Sequence, residues 1–148
     1  MLKITIPLTL ISFTIFTKWW YVLPVDGTDQ MMFGFPFPHL RQGGNSMEFV
    51  ISVRNLIINL LVYFWFWFVI FFVIHKFLFK IKASKFLTIP LWILTFLILL
   101  ANTFIFYLDG RFEWKCDYEM EIMETGYHFI WDKIERPDYY KYHPEKKK

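Results

Sequence analysis

The stretch from Leu56 to Ile74 reads Leu-Ile-Ile-Asn-Leu-Leu-Val-Tyr-Phe-Trp-Phe-Trp-Phe-Val-Ile-Phe-Phe-Val-Ile, and none of its 19 side chains is charged. A helix of 19 residues is about 28 Å long at about 1.5 Å per residue, which is close to the thickness of the hydrocarbon layer of a bilayer. A second run, Phe86 to Leu108, has 23 residues without a charge and is also long enough. Two such runs in a chain of 148 residues predict an integral membrane protein.

The composition of the chain agrees with this class. Hydrophobic residues make up 56% of the chain and aromatic residues 23%, which is more apolar surface than a soluble domain of this size can bury. The net charge of +3 is small, so the position of the charges matters more than their sum. The single cysteine, Cys116, excludes a disulfide within the chain and a metal site of several cysteines.

The first apolar run is shorter than the other two. Ile4 to Thr17 is an uncharged run of 14 residues, a length that also suits the core of a cleaved signal peptide. No small-x-small cleavage site follows it. Instead the chain continues with Lys18-Trp19-Trp20-Tyr21, a cluster typical of the membrane–water interface. We therefore expect a retained helix over residues of about 4–23, with a cleaved signal peptide as the alternative.

The predicted fold class is an all-α membrane protein with three transmembrane helices and a small extracytoplasmic β-hairpin in the C-terminal tail. The predicted transmembrane domain is 1–108, with spans of about 4–23, 52–75 and 86–108 and an outer loop at 24–48. Residues 109–148 form the predicted tail, with the hairpin at 111–134.

The positions of the lysines predict the orientation of these helices in the membrane. The short connection between the second and third spans contains Lys76, Lys80, Lys82 and Lys85 and no acidic residue. The outer loop contains Asp26, Asp29 and Glu48 against Arg41. Because short lysine-rich loops stay in the cytoplasm, we expect a multi-pass protein with a cytoplasmic N-terminus and an extracytoplasmic C-terminus, in the cell or inner membrane if the source is bacterial.

Polar side chains recur on one face of each predicted span. The spacing is seven residues for Thr88, Thr95 and Asn102, and four residues for Asn55, Asn59 and Tyr63. Such stripes face protein, because unpaired polar groups are costly in lipid. They either join helices by hydrogen bonds or line a polar pathway; the candidates are Arg54, Asn55, Asn59, Thr95 and Asn102. No Asp, Glu or His lies at mid-depth, which argues against proton coupling.

The outer loop contains Gly34-Phe35-Pro36-Phe37-Pro38. Each proline keeps the residue before it out of the helical region, so this segment is extended or turned. Its phenylalanines either rest on the membrane surface or dock into an aromatic groove of a partner protein. Phe35 and Phe37 are therefore candidate partner-binding residues.

The tail alternates between apolar and charged residues from Arg111 to Ile122. This period of two over twelve residues is typical of a half-buried strand, and Glu124-Thr125-Gly126 is a plausible turn into a second one. A two-stranded hairpin alone is marginally stable in water, so its apolar face needs a cover. The further candidate partner-binding residues are Phe112, Trp114, Tyr118 and Met120.

No phosphate-binding glycine loop and no HExxH, CxxC or GxSxG motif is present. The sequence therefore predicts no enzyme, cofactor, metal site or nucleic-acid partner. We expect a non-enzymatic accessory or structural subunit of a membrane complex, in contact with the lipid bilayer and with a protein partner or a second copy of itself. The alternative is a subunit of a homo-oligomeric channel or small carrier.

Overall fold

The fold joins three long helices to one six-stranded sheet. The computed structural model describes residues 1–25, 28–43, 48–78, 84–115 and 119–143. The helices are α1 (Leu2–Ile15), α2 (Val53–Val73, extended by a π-helical segment Ile74–Leu78), α3 (Lys85–Asp109) and the short α4 (Tyr139–Tyr142). The strands are β1 (Phe16–Pro24), β2 (Gln30–Phe33), β3 (Leu40–Gln42), β4 (Phe49–Ser52), β5 (Gly110–Glu113) and β6 (Met120–Phe129).

The sheet lies at one end of the helices. α1 continues directly into β1, β4 continues directly into α2, and α3 continues directly into β5. The C-terminal ends of α1 and α3 and the N-terminal end of α2 therefore meet the sheet. The start of α1 and the two ends that connect α2 with α3 point away from it.

The strand order is β5-β4-β3-β2-β1-β6, and only the β4–β5 pair is parallel. β1 and β6 form the longest pair, from Phe16 opposite Phe129 to Pro24 opposite Met120. Tyr21 and Val22 in the middle of β1 have no exposed surface. The middle of β1 is therefore buried. Aromatic and β-branched residues such as these are also the types that favour strands.

The predicted all-α class is wrong, because the structure is a mixed α/β fold. The first predicted span, 4–23, is a helix only as far as Ile15, and its second half is β1. Aromatic residues such as Trp19 and Trp20 suit both a membrane interface and a strand, and here both pair with β2 and β6. At about 21 Å α1 is shorter than a hydrocarbon layer. Among the described residues, α2 and α3 are the helices that are long and apolar enough to cross a membrane.

The predicted hairpin over 111–134 is also wrong. β5 and β6 lie at opposite edges of the sheet, where β5 pairs with β4 and β6 pairs with β1. The alternating pattern indicates strands but does not say which strands pair. Gly126, which suggested a turn, lies inside β6 opposite Trp19, where a Cβ atom would come within 2.6 Å of the indole nitrogen. The predicted outer loop likewise contributes β2 and β3.

α2 and α3 keep most of their apolar surface exposed. Their bounds are close to the predicted spans of 52–75 and 86–108. Within the most apolar 18 residues of each, only 11% and 6% are buried. α1 packs against both of them, whereas α2 and α3 make few direct contacts with each other.

Candidate functional site

The segment from Gly34 to Pro38, here called the Phe–Pro loop, lies along the sheet-proximal turns of α2. The Asn55 side chain donates from Nδ2 to the carbonyl oxygen of Pro38 at 2.7 Å. One turn further along α2, Asn59 holds Phe37, and one more turn on, the Tyr63 ring contacts Phe35 at 6.1 Å between ring centres. The predicted stripe of Asn55, Asn59 and Tyr63 does share one face of α2, and that face holds this loop.

Asn59 is fully buried and uses every polar atom of its side chain. Its Oδ1 accepts from the Phe37 N–H at 3.1 Å, and its Nδ2 donates to the Phe37 carbonyl at 2.6 Å. The second Nδ2 proton goes to His39 Nδ1 at 3.0 Å. Because an amide nitrogen only donates, His39 Nδ1 accepts and its ring proton is on Nε2. Burial lowers the pKa of His39 to about 4, so the ring is neutral near pH 7.

The backbone of Gly34 is also paired. The Gly34 N–H donates to the Lys18 carbonyl at 2.8 Å, and Trp20 Nε1 donates to the Gly34 carbonyl at 2.9 Å. The two prolines have no N–H to satisfy. Gly34 has a φ of 148°, and a Cβ atom there would lie 2.2 Å from the Phe37 carbonyl oxygen. The hydrogen bonds of Gly34, Phe37 and Pro38 thus hold this non-helical segment against β1 and α2.

The two phenylalanines of the loop have different surroundings. Phe35 packs in an aromatic cluster with Phe16, Tyr63 and Tyr127, at 5.8–6.1 Å between ring centres. Phe37 keeps 49% of its surface exposed. Of the two predicted partner-binding residues in the loop, Phe37 is therefore the exposed one, while Phe35 is half-buried in this aromatic cluster.

The polar residues of α3 bond to their own helix. Thr95 is buried and its hydroxyl donates to the Leu91 carbonyl at 2.8 Å. Asn102 donates from Nδ2 to the Ile98 carbonyl, also at 2.8 Å. Such bonds to the carbonyl four residues back are common for these residue types in helices. Hydrogen bonds between helices come instead from indoles: Trp67 donates to Ser12 Oγ at 2.7 Å, and Trp92 to the Lys3 carbonyl at 3.1 Å.

Arg54 lies in the first turn of α2, where its side chain is exposed and its backbone N–H donates to the Trp114 carbonyl at 3.2 Å. It sits at the helix–sheet boundary and not inside the helix bundle. Phe112 and Trp114 are 62% and 66% exposed at this same level. Met120 lies at the far end of the sheet opposite Pro24. Tyr118 lies outside the described residues.

Exposed apolar side chains lie at both edges of the sheet, near the junction between helices and sheet. On the β6 side, the Ile130 N–H donates to the Ile15 carbonyl at the end of α1 at 2.9 Å. On the β5 side, Trp114 adjoins the start of α2. We call these residues the junction ring; all are exposed, and they are Phe112, Trp114, Tyr127, Phe129, Ile130 and Trp131. The sequence showed their alternation in the tail but not that β5 and β6 bring them to one level.

A chamber of about 520 Å³ lies between the helices and the sheet. The helices contribute Phe13, Leu60, Leu99 and Asn102 to its wall, and the sheet side contributes His39 and Phe112. No Asp, Glu, Lys or Arg of the described residues lines it. The chamber is partly open, and it borders both α2 and α3, which make few contacts with each other.

Asp29 forms a second polar cluster on the sheet. Its carboxylate accepts from the Tyr21 hydroxyl at 2.6 Å and contacts His143 Nε2 at 3.0 Å, and its carbonyl accepts from Arg136 at 2.8 Å. Burial raises the pKa of Tyr21 to about 12, and the adjacent Asp29 adds to this. Burial alone would raise the pKa of Asp29, but the hydrogen bonds from Tyr21 and His143 outweigh it and lower the pKa.

This cluster ties the segment after β6 to the start of β2. The Tyr21 side chain has no exposed surface, so its hydroxyl is not accessible to a substrate. The hydrogen bonds of the cluster stabilise the fold by joining these segments. In the sequence, Asp29 was informative only as one of the acidic residues of the predicted outer loop. Its partners Arg136 and His143 are more than 100 positions away in the chain, and no local pattern links them.

Among the described residues, no group of three or more His, Cys, Asp or Glu side chains could hold a metal ion. Comparisons with protein-family models, with curated proteins and with solved structures find no match to this chain.

Proposed function

We propose that this chain is a non-enzymatic integral membrane protein, anchored by α2 and α3, that serves as an accessory or structural subunit of a larger membrane complex. The observation that carries the proposal is the exposed apolar surface of the two long helices, which ends at the junction ring. In this proposal the helices lie in the bilayer, the junction ring lies at the headgroups, and the sheet stands outside.

The exposure of α2 and α3 argues against a soluble protein. An apolar helix in the core of a soluble protein is mostly buried. In α2 and α3, by contrast, only 11% and 6% of the most apolar 18 residues are buried. Large side chains such as Trp65, Phe66 and Phe96 are each more than half exposed. Soluble monomers rarely expose an apolar patch of more than a few hundred Å², so this surface needs a lipid or protein cover.

The junction ring supports a membrane boundary at the level where the helices end. Trp and Tyr are enriched at membrane interfaces, because their rings are apolar and their N–H or O–H groups are polar. Trp114, Tyr127 and Trp131 are all of this type and all exposed. Under this proposal Phe112 and Trp114 contact lipid headgroups, which gives their apolar surface a cover without a protein partner.

The charges favour a sheet outside the cytoplasm. Lys76 and Lys85 flank the connection between α2 and α3, at the end of these helices away from the sheet. The same connection contains Lys80 and Lys82, which lie outside the described residues. By the positive-inside rule the end that connects α2 with α3 is cytoplasmic.

A protein partner is proposed to bind at the edge of the sheet. Within the described part of the chain, β6 is an edge strand of ten residues that pairs with β1 on one side only. Edge strands of this kind pair readily with a strand from another chain. The channel alternative has less support, because the Thr95 and Asn102 side chains each bond to their own helix backbone.

Compartment reporters and affinity purification test this proposal. Reporters fused after Lys82 and after Lys148 should lie on opposite sides of the membrane. Purification of the full-length protein from native membranes, followed by mass spectrometry, should yield a stoichiometric second protein. If both reporters lie on one side, the anchoring proposal fails. If a symmetric homo-oligomer is purified without another protein, the accessory role fails.

A further inference from the structure

We propose that the chamber binds one uncharged, chain-bearing lipid, whose head carries an oxygen atom that accepts a hydrogen bond from His39. Such binding rests on the proposed anchoring of α2 and α3, because the ligand would enter from the bilayer. The shared chemistry of the ligand is a long apolar chain joined to a head that has carbonyl or hydroxyl oxygens and no charge. Acylglycerols and isoprenoid quinones both have this chemistry.

The size and lining of the chamber suit such a ligand. Its volume of about 520 Å³ falls within the range of about 300–1,000 Å³ for small-molecule sites. Phe13, Leu60 and Leu99 make most of its inner wall apolar, and a few polar side chains are set among them. Ligand sites in proteins typically combine an apolar wall with a small number of polar groups that orient the ligand.

The polar groups in the wall select an uncharged head. His39 has its Nδ1 occupied by Asn59, which leaves Nε2–H as a donor without a partner among the described residues. Asn102 donates from Nδ2 to Ile98, which leaves Oδ1 as an acceptor. The described lining contains two histidines, His39 and His128, but no lysine or arginine that could pair with a phosphate or carboxylate head. Burial of such a charge without a partner is costly.

The packing of the helices leaves a path from the lipid to the chamber. α1 packs on both α2 and α3, but α2 and α3 make few direct contacts. Leu60 of α2 and Leu99 and Asn102 of α3 border the chamber from the two sides of this gap. A lipid chain can therefore enter between α2 and α3 while its head stays near the sheet.

Native mass spectrometry of the purified full-length protein in detergent tests the proposal by titration with three lipids. The probes are dioctanoylglycerol, the anionic dioctanoyl phosphatidic acid with the same chains, and decylubiquinone. We expect saturable binding of one molecule of at least one neutral probe. We expect at least tenfold weaker binding of the phosphatidic acid. The tighter of the two neutral probes identifies the ligand as an acylglycerol or a quinone. Equal binding of dioctanoylglycerol and phosphatidic acid, or binding of no neutral probe, would overturn the proposal.

A matched pair of variants locates the site. Leu99 and the next residue, Leu100, have similar exposures of 46% and 56%, but Leu99 lines the chamber and Leu100 does not. Leu99→Trp should fill the chamber and reduce neutral-lipid binding at least tenfold, while Leu100→Trp should bind as the wild type does. Equal loss in the two variants would overturn the proposal.

A third variant tests the hydrogen bond from His39. His39→Phe keeps an aromatic ring beside Phe13 but removes the donor, so we expect about five- to tenfold weaker binding, as for one lost hydrogen bond. Unchanged affinity would remove His39 from the site. Reporters on opposite sides combined with no saturable binding would refute the chamber alone, whereas reporters on one side would refute the anchoring.

Discussion

Asn59 fixes the path of the Phe–Pro loop, because its one side chain satisfies both backbone polar groups of Phe37 and also orients the His39 ring. The recurrence of Asn55, Asn59 and Tyr63 at four-residue intervals predicted that this face of α2 meets protein. It did not show that the element packed against this face is a loop, because the spacing along one helix carries no information about the element opposite. The same holds for Asn102, whose spacing placed it on a helix face but whose bond is to its own backbone.

Substitution of Asn59 should destabilise the fold more than substitution of Asn55. Asn59→Leu leaves the Phe37 N–H and C=O without partners, at about 1–3 kcal/mol for each buried group, or about 2–6 kcal/mol in all. Asn55→Leu removes one bond, to Pro38, and should lower the free energy of unfolding by about 1–3 kcal/mol. Denaturant titration in mixed micelles measures both. Equal effects would mean that the two hydrogen bonds between Asn59 and the Phe37 backbone are not formed.

Protonation of His39 should make stability depend on pH. Burial lowers the pKa of His39 to about 4, whereas an unfolded histidine titrates near 6.5. Between these values the unfolded chain binds a proton that the folded chain does not. The free energy of unfolding is therefore constant above pH about 6.5 and decreases as the pH falls towards about 4, by about 3 kcal/mol in total.

Unfolding measurements at several pH values, compared with those of His39→Phe, check this prediction. The variant should lose most of the slope between pH about 6.5 and about 4. Below pH about 4, the lowered pKa of Asp29 adds a second loss of stability as that carboxylate is protonated. The same slope in wild type and variant across the first interval would assign the effect to another group.

At the scale of elements, the sequence predicts strands and helices better than it predicts their partners. The alternation over residues 111–122 correctly indicates extended chain in β5 and at the start of β6, and the uncharged runs correctly indicate α2 and α3. Strand pairing, however, is a contact between residues far apart in the chain. β1 pairs with β6 over about a hundred intervening positions, and no local pattern contains that choice. The Trp-rich segment at 16–24 suits a strand and an interface equally well.

Cysteine cross-linking should distinguish this sheet from a tail hairpin. Leu23 and Glu121 face each other across β1 and β6, whereas Ile122 faces Val22. Directly opposed residues in antiparallel strands lie about 4.5–5.5 Å apart between Cα atoms, which permits a disulfide. In a Cys116→Ser background, Leu23→Cys with Glu121→Cys should cross-link on oxidation. Leu23→Cys with Ile122→Cys should not, because residues offset by one point to opposite faces. Equal cross-linking would refute the register, and peptide mass spectrometry reads out the bond.

At the scale of the whole molecule, the proposed anchoring places the sheet and the helices in different surroundings. The sheet buries Tyr21, Val22 and Met32 and has a polar cluster at Asp29, which suits the water-facing side of that proposal. α2 and α3 instead direct their apolar side chains outward and satisfy their polar groups internally. Composition revealed the apolar half of the molecule, because a bilayer span is defined by local length and charge. The chamber was not predictable, since it exists only where three helices and a sheet come together.

Lipid-phase labelling of single cysteines tests whether α2 and α3 lie in a bilayer. Thr95 and Phe96 are neighbours on α3, but Thr95 is 1% exposed and Phe96 is 64% exposed. In a Cys116→Ser background, Phe96→Cys in native membranes should react with a lipid-soluble thiol probe and resist a water-soluble one. Thr95→Cys should react with neither, because this position is buried inside the protein. Rapid reaction of Phe96→Cys with the water-soluble probe would show that this surface faces water, and would refute the anchoring on which the proposed function depends.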